Sequence, residues 1–195
     1  MALPKEHLTE RVVYLKSELG KYSIEELHNL TSEDFKMLGM YIETYNFMDF
    51  NVQRLYLLLK EKGVIITDKK TKEHTTHMLS KLKEVVHQFS DASEVNVALT
   101  MMKEIEFRKP YRHIYAHWAA KRIPNEDAIV FFTSDPSEYK KKINNEIPLG
   151  GCIFAIMDVV DIKCSVNHLQ NFERWVAIKV SEIFKELHEN IIPSN

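Results

Sequence analysis

With 195 residues, the chain is long enough for one domain built around one sizeable core. Hydrophobic residues at 45% and charged residues at 28% are ordinary for a soluble globular protein, and five glycines with six prolines argue for long helices over a loop-rich β-sandwich. The net charge of −2 excludes a generally basic nucleic-acid coat, so any anion site must come from local patterning.

The first segment, MALPKEHLTERVVY, mixes acids and bases and has no apolar stretch of the kind a signal peptide carries. A helix is expected over Lys5 to Leu19, stopped by Gly20. Ser23-Ile24-Glu25-Glu26 has the form of a capping box and predicts one further turn. The strongest segment is Ser32 to Lys62, with Ser32 as N-cap and Glu33 and Asp34 at the positive end of the dipole. Its stripe of Phe35, Leu38, Ile42, Tyr45, Val52, Tyr56 and Leu59 is widened by Met37, Tyr41, Met48, Leu55 and Leu58. A helix apolar on that much of its surface is buried on several sides, in a bundle centre or at a subunit interface. Gly63 ends it.

A helix over Thr71 to Phe89 follows, striped by Met78, Leu82, Val85 and Phe89. Val95, Ala98, Met102 and Ile105 form the next stripe, running toward Pro110, which is expected to break, kink or restart the helix. A helix carrying Arg112 to Lys121 comes next and ends before Pro124. Ala128 to Thr133 reads as a strand, and Tyr139 to Ile143 and Gly151 to Asp158 as two more in a small antiparallel sheet. A last helix spans about Val166 to Asn190, striped by Leu169, Phe172, Val176, Val180, Ile183 and Leu187. The expected fold is mainly α: a bundle of about five helices, with a β-insertion at about 127–158 before the last helix, in a single domain over 1–195. The longest apolar run, Cys152 to Met157, falls far short of the roughly 20 residues that span a bilayer. Cys152 and Cys164 lie outside any CxxC; reduced thiols are the simpler reading and a disulfide the alternative. A cytoplasmic location without membrane contact is expected.

Chemistry concentrates in EFRKPYRHIYAHWAAKRIP, residues 106 to 124. Arg108, Lys109, Arg112, Lys121, Arg122, His113 and His117 fall there with no acid between Glu106 and Glu126. Histidine can move protons near neutral pH, and the arginine fork matches phosphate oxygens, so the pairing of Arg112 with His117 suits phosphoryl chemistry. The bland alternative is a solvated basic face with one histidine packed inward. Arg108, Lys109, Lys121 and Arg122 are candidates for binding phosphate, and Tyr115 and Trp118 for stacking on a base, with core packing the commoner fate of such aromatics. Asp49 interrupts the apolar stripe of the 32–62 helix and, with Glu43 and Asn46 on neighbouring turns, is a candidate support for the basic site. His113 and His117, at i and i+4, could also grip zinc, but the sequence offers no H-E-x-x-H. His74 and His77 in KEHTTH read as solvated surface.

Arg112, His113 and His117, set late in a helical chain, resemble the signature of the HEPN superfamily, in which an arginine followed by a polar residue precedes a histidine by five positions. Long paired helices, then the Arg/His helix, then a closing helix give the family's order of elements over roughly 32 to 190. The resemblance implies a metal-independent endoribonuclease with no cofactor. His117 would be the base toward a ribose 2′-hydroxyl, Arg112 the stabiliser of transition-state charge, and His113 an orienting group or acid; the products would be a 2′,3′-cyclic phosphate and a free 5′-hydroxyl. RNA as substrate, a homodimer, and an antitoxin protein in a toxin–antitoxin or phage-defence setting are the partners it implies. Two residues after the histidine, where some family toxins carry a tyrosine, this chain has Ala119. Arg108 and His113 share the same spacing; the later register is preferred because Pro110 is expected to separate Arg108 from the site helix. Residues five apart lie about 140° apart around a helix, so Arg112 and His117 make a poor pocket in one chain and a better one across a two-fold dimer. A non-catalytic dimer of the same fold, binding nucleotide, RNA or a protein, is the other reading.

Overall fold

A computed structural model describes residues 9–67, 73–88, 90–143 and 151–189. In chain order the elements are α1 (Glu10–Leu19), a 3-10 turn (Ile24–Glu26), α2 (Ser32–Glu61), α3 (Thr75–Val85), a second 3-10 turn (Val86–Gln88), α4 (Val95–His117), β1 (Ala119–Arg122), β2 (Ala128–Thr133), α5 (Pro136–Ile143), β3 (Ile153–Asp158) and α6 (Val159–Glu189). The chain is mainly α, with a three-stranded antiparallel sheet of order β1-β2-β3 before the last helix. Among the described residues, no helix is long and apolar enough to cross a membrane.

Contacts divide the chain into two compact units, 1–40 with 113–166 and 41–112 with 167–195. The first holds the sheet. Lys121 faces Val130 and Arg122 faces Ile129 in the β1–β2 register, and Ile129 faces Met157 in β2–β3. Ala128 to Phe131 are fully buried, so β2 is covered on both faces, as its unbroken apolar run requires. Ala128 and Val130 pack with Leu15 of α1, Leu27, Ile123 and Ile156. Pro124 and Asn125 turn β1 into β2: the Glu126 N–H donates to the Ile123 carbonyl at 3.2 Å, and Asn125 takes φ 61°, a left-handed angle that Asn tolerates.

In the second unit α2 buries Tyr41, Tyr45, Met48, Val52, Leu55, Tyr56, Leu58 and Leu59, the wide apolar surface the sequence predicts. The Tyr45 hydroxyl donates to the Ile105 carbonyl of α4. Gly63, at φ 74°, closes α2: Val64 N–H returns to the Leu59 carbonyl at 2.9 Å, a conformation a side chain would strain. Met78, Leu79 and Leu82 of α3 and Leu169, Val176, Val180 and Ile183 of α6 are buried as expected.

Several expectations are corrected. The α2 cap sits one residue earlier than Ser32: Thr31 Oγ1 accepts from the Asp34 N–H at 3.2 Å, and Asp34 Oδ2 accepts from the Thr31 N–H at 2.8 Å. Phe35, expected on the buried stripe, is 64% exposed. Pro110 neither breaks nor restarts the helix; α4 runs unbroken through it, carried by packing on either side at Ile105 and Ile114. The site helix ends at His117 rather than before Pro124, so Lys121 and Arg122 lie on a strand. The sheet therefore begins at Ala119, before 127. Tyr139 to Ile143 is helix, not strand. Asp135 caps it, its Oδ1 accepting from the Ser137 N–H at 2.7 Å, and Pro136 takes the first helical position. The first, third and last expected helices reach Lys5, Thr71, Phe89 and Asn190, which lie outside the described residues; the last begins earlier than expected, at Val159.

Candidate functional site

Arg108, Lys109, Arg112, His113, Tyr115 and His117 all project from α4, which passes from the second unit to the first between Arg112 and His113. In the second unit, Arg108 is buried, its side chain only 9% exposed. Its guanidinium meets Glu104 at 3.2 Å and lies over the Phe172 ring at 5.4 Å, which makes it part of the helix packing. Lys109 Nζ donates to Thr76 Oγ1 at 3.1 Å on the surface. Arg112 is half-buried, and its Nε donates to Asn46 Oδ1 of α2 at 3.0 Å. Asn46, three residues after Glu43 and three before Asp49, thus holds the arginine from α2. Asp49 instead accepts from Gln53 Nε2 at 3.0 Å on its own helix, while its buried Oδ1 has no partner among the described residues. Glu43 is exposed.

In the first unit, the His113 and His117 rings lie 4.9 Å apart, one turn from each other on α4. His117 is exposed and His113 half-buried. Glu138 of α5 brings Oε2 to 3.5 Å from His113 Nε2 and is itself buried. Burial lowers the His113 pKa from its ordinary value; Glu138 opposes that, while His117, Lys141 and Lys142 add to it. The net is a histidine that holds its proton less tightly than usual. The sequence alone does not point to Glu138, which falls between the SDPS turn and the expected strand over Tyr139 to Ile143.

Tyr115 is buried, its ring 5.2 Å from Phe131 and its hydroxyl 3.0 Å from Met157 Sδ. It is core, not a stacking platform. Trp118 is likewise buried, with Lys142 Nζ 5.9 Å from its ring. Lys121 Nζ donates to Asn29 Oδ1 at 2.7 Å. Arg122 forks onto the Asp34 carboxylate at 2.9 and 3.0 Å and also reaches Asp127, an ion-pair cluster that ties β1 to the start of α2. Burial pushes the Asp34 carboxyl up, but its bonds from Thr31 and Arg122 outweigh that and hold it below its ordinary value. Both expected phosphate binders on β1 are therefore engaged by the protein's own side chains.

Among the described residues, no three His, Cys, Asp or Glu side chains cluster as a metal site. Cys152 and Cys164 are free and exposed. His74 caps α3, its Nδ1 accepting from the His77 N–H at 3.3 Å. Comparison with known protein families, with characterised proteins and with solved structures finds no match to this chain.

Proposed function

We propose that the chain is a metal-independent endoribonuclease of HEPN type, cutting RNA by attack of a 2′-hydroxyl on the adjacent phosphate. One observation carries the reading: Arg112, His113 and His117 stand on one unbroken helix, with the arginine braced by Asn46 and the imidazoles side by side. His117 would take the 2′-hydroxyl proton, and Arg112 would stabilise the charge that gathers on the phosphorane oxygens. The alternative register, Arg108 with His113, is disfavoured by the burial of Arg108 against Glu104 and Phe172. Withdrawing that guanidinium from its carboxylate to meet phosphate would break an ion pair whose arginine side chain is only 9% exposed. Arg108, Lys121 and Arg122 accordingly leave the substrate-binding set, Tyr115 with them, and Lys109 stays in it.

The working form we propose is a two-fold dimer. Phe47, Phe50 and Leu57 of α2 are 49%, 50% and 53% exposed, and with Glu43 and Arg54 they follow the 3-4 spacing of a helix-pairing seam. An axis midway between Phe47 and Phe50 sets each against the other in the second copy, and Glu43 against Arg54. That self-complementarity is what an isologous interface needs.

The test is cleavage of mixed single-stranded RNAs in EDTA by wild type, Arg112→Ala and His117→Ala. Cutting that survives EDTA, leaves cyclic phosphate ends and vanishes in both variants supports the reading. A wild type that binds RNA and cuts nothing favours the non-catalytic binder, which the engagement of Lys121 and Arg122 and the net charge of −2 make the second reading. Activity that EDTA abolishes and zinc restores would overturn both.

A further inference from the structure

We propose that α5 carries a phosphate subsite, in which Lys141 and Lys142 take a backbone phosphate of the RNA next to the one that is cut. The identity of the ligand rests on the ribonuclease reading above; the gathering of cations beside the two histidines does not.

Lys140, Lys141 and Lys142 close α5, and Glu138 is the one acid on that helix. Lysines suit a helix C-terminus for its dipole alone, so their number is no sign of a site. Their placement is. Lys141 and Lys142, three and four residues after Glu138, share its side of the helix, while Lys140 lies about 160° around from Lys142. That side is the one that meets α4. Glu138 Oε2 lies 3.5 Å from His113 Nε2, and Lys141 Nζ lies 3.0 Å from Glu138 Oε1. Lys142 Nζ lies 5.9 Å from the ring of Trp118, the residue after His117. Two lysines and one carboxylate thus gather with the paired imidazoles at the end of α4, within the first unit.

The carboxylate is buried, whereas the Lys141 side chain is 69% exposed and Lys142 half-buried, so the charge presented to solvent is positive. Both lysines add to burial in loosening the proton on His113, the mark of a positive field at that ring. An ion pair with so exposed a lysine holds weakly, and a lysine has three N–H groups, so Lys141 keeps donors for a phosphate. Arg122 on β1 is the contrast: its side chain is 20% exposed and is matched by two carboxylates, Asp34 and Asp127. The sequence places positive charge on both stretches, and the fold commits β1 to internal ion pairing while α5 stands beside the histidines.

The experiment measures binding of a fluorescent oligouridine to the full-length protein over a series of salt concentrations, for wild type, Lys140→Gln, Lys141→Gln and Lys142→Gln. Each phosphate contact to a single strand contributes about 0.7 to the slope of log affinity against log salt. Lys141→Gln and Lys142→Gln should each flatten the slope by about 0.7, and Lys140→Gln should leave it unchanged. A lysine that only supports the fold would lower stability without changing the slope. A slope unchanged in both Lys141→Gln and Lys142→Gln, or flattened as much by Lys140→Gln, overturns the proposal. The second arm follows the indole N–H signals in NMR spectra. The chain has two tryptophans, Trp118 and Trp175, and Trp118→Phe assigns them. The Trp118 N–H is buried and has no acceptor among the described residues, so its signal is sensitive to an anion arriving at Lys142. Inorganic phosphate and oligouridine should each move it, less so in Lys142→Gln, while inorganic phosphate leaves Trp175 in place. No shift with either ligand overturns the subsite, and a shift with inorganic phosphate alone overturns RNA as what it holds. Should wild type show both effects and cut no RNA, the ribonuclease reading falls and the subsite stands in an RNA binder.

Discussion

Arg112 differs from Arg108, one turn earlier on the same helix, in burial: Arg112 is half-buried and Arg108 is buried. Arg108 is buried with a carboxylate, whereas Arg112 is steadied through Nε by the neutral oxygen of Asn46. Asn46 orients the fork through Nε, and an oriented fork is what a phosphate stabiliser needs. Arg112→Ala should therefore cost about 10²–10³ in kcat, the usual loss for one donor to a developing oxyanion. Arg112→Lys should fall between it and wild type, because charge survives and the fork does not. Asn46→Ala keeps the arginine and loses the brace, so single-turnover rates should drop about tenfold with stability little changed. Asp34 offers a contrasting case in which charge serves the fold. Asp34→Asn removes one of the two carboxylates, Asp34 and Asp127, that meet a guanidinium only 20% exposed, and should cost about 2 kcal/mol at pH 7 by denaturant titration. Because the folded carboxyl titrates below its unfolded value, that stabilisation is complete above roughly pH 4 and is lost as pH falls through the folded value. The gap between wild type and Asp34→Asn should narrow in step.

At the scale of elements, α4 is the surprise. Pro110 lacks the N–H that would return to Glu106, yet the helix continues because Ile105 and Ile114 anchor it on both sides. Pro110→Ala should restore the missing bond and raise stability by about 1–3 kcal/mol, read as a higher unfolding midpoint. Had Pro110 begun a new helix, the substitution would leave stability unchanged or lower it. The long helices were legible in the sequence because their apolar stripes are long and their stops are local: Gly63 needs its left-handed angle wherever the chain goes. The region after His117 was not, for a physical reason. Ala119 to Arg122 is short and carries no period of its own; it is a strand because it pairs with β2, a partner of later sequence. In α5, Tyr139 and Ile143 have the i,i+4 spacing of a helix that a five-residue window cannot tell from a strand, and the Asp135-Pro136 start looks like any turn. The site divides the same way. Arg112, His113 and His117 are set by spacing within one helix and could be read directly. Asn46 and Glu138 act on them from 66 and 25 positions away, and only the fold brings those together with α4.

At the scale of the whole molecule, the offset of about 140° between Arg112 and His117 and the exposed seam of α2 bear on one question. A lone chain that exposes Phe47, Phe50 and Leu57 along a single stripe leaves apolar area in water that a second copy would cover. The charges decide which copy and which direction. Arg54 lies over the Phe50 and Phe184 rings at 5.6 and 4.7 Å, so its guanidinium is already held at the seam's edge. Antiparallel pairing brings Glu43 of each copy to Arg54 of the other, twice per dimer, and parallel pairing would set like charges together. Wild type should therefore elute near twice 22.9 kDa. Phe50→Glu buries a carboxylate against Phe47 of the other copy, twice per dimer at the centre of the seam, and should weaken association at least a hundredfold. Glu43→Arg alone places two cations together at both ends and should raise the dimer Kd about tenfold, and Arg54→Glu alone should do the same with two anions. Combining them restores opposite charges and should recover most of the affinity, a result that a general loss of solubility or folding could not produce. The same variants bear on catalysis. If the cleft is built from two copies of α4, the RNA-cleaving rate per chain should fall with dilution through the dimer Kd, and Phe50→Glu should be inactive at concentrations where wild type is paired. A Phe50→Glu monomer that cuts RNA at the wild-type rate would confine the chemistry to a single chain and leave the seam with an assembly role alone.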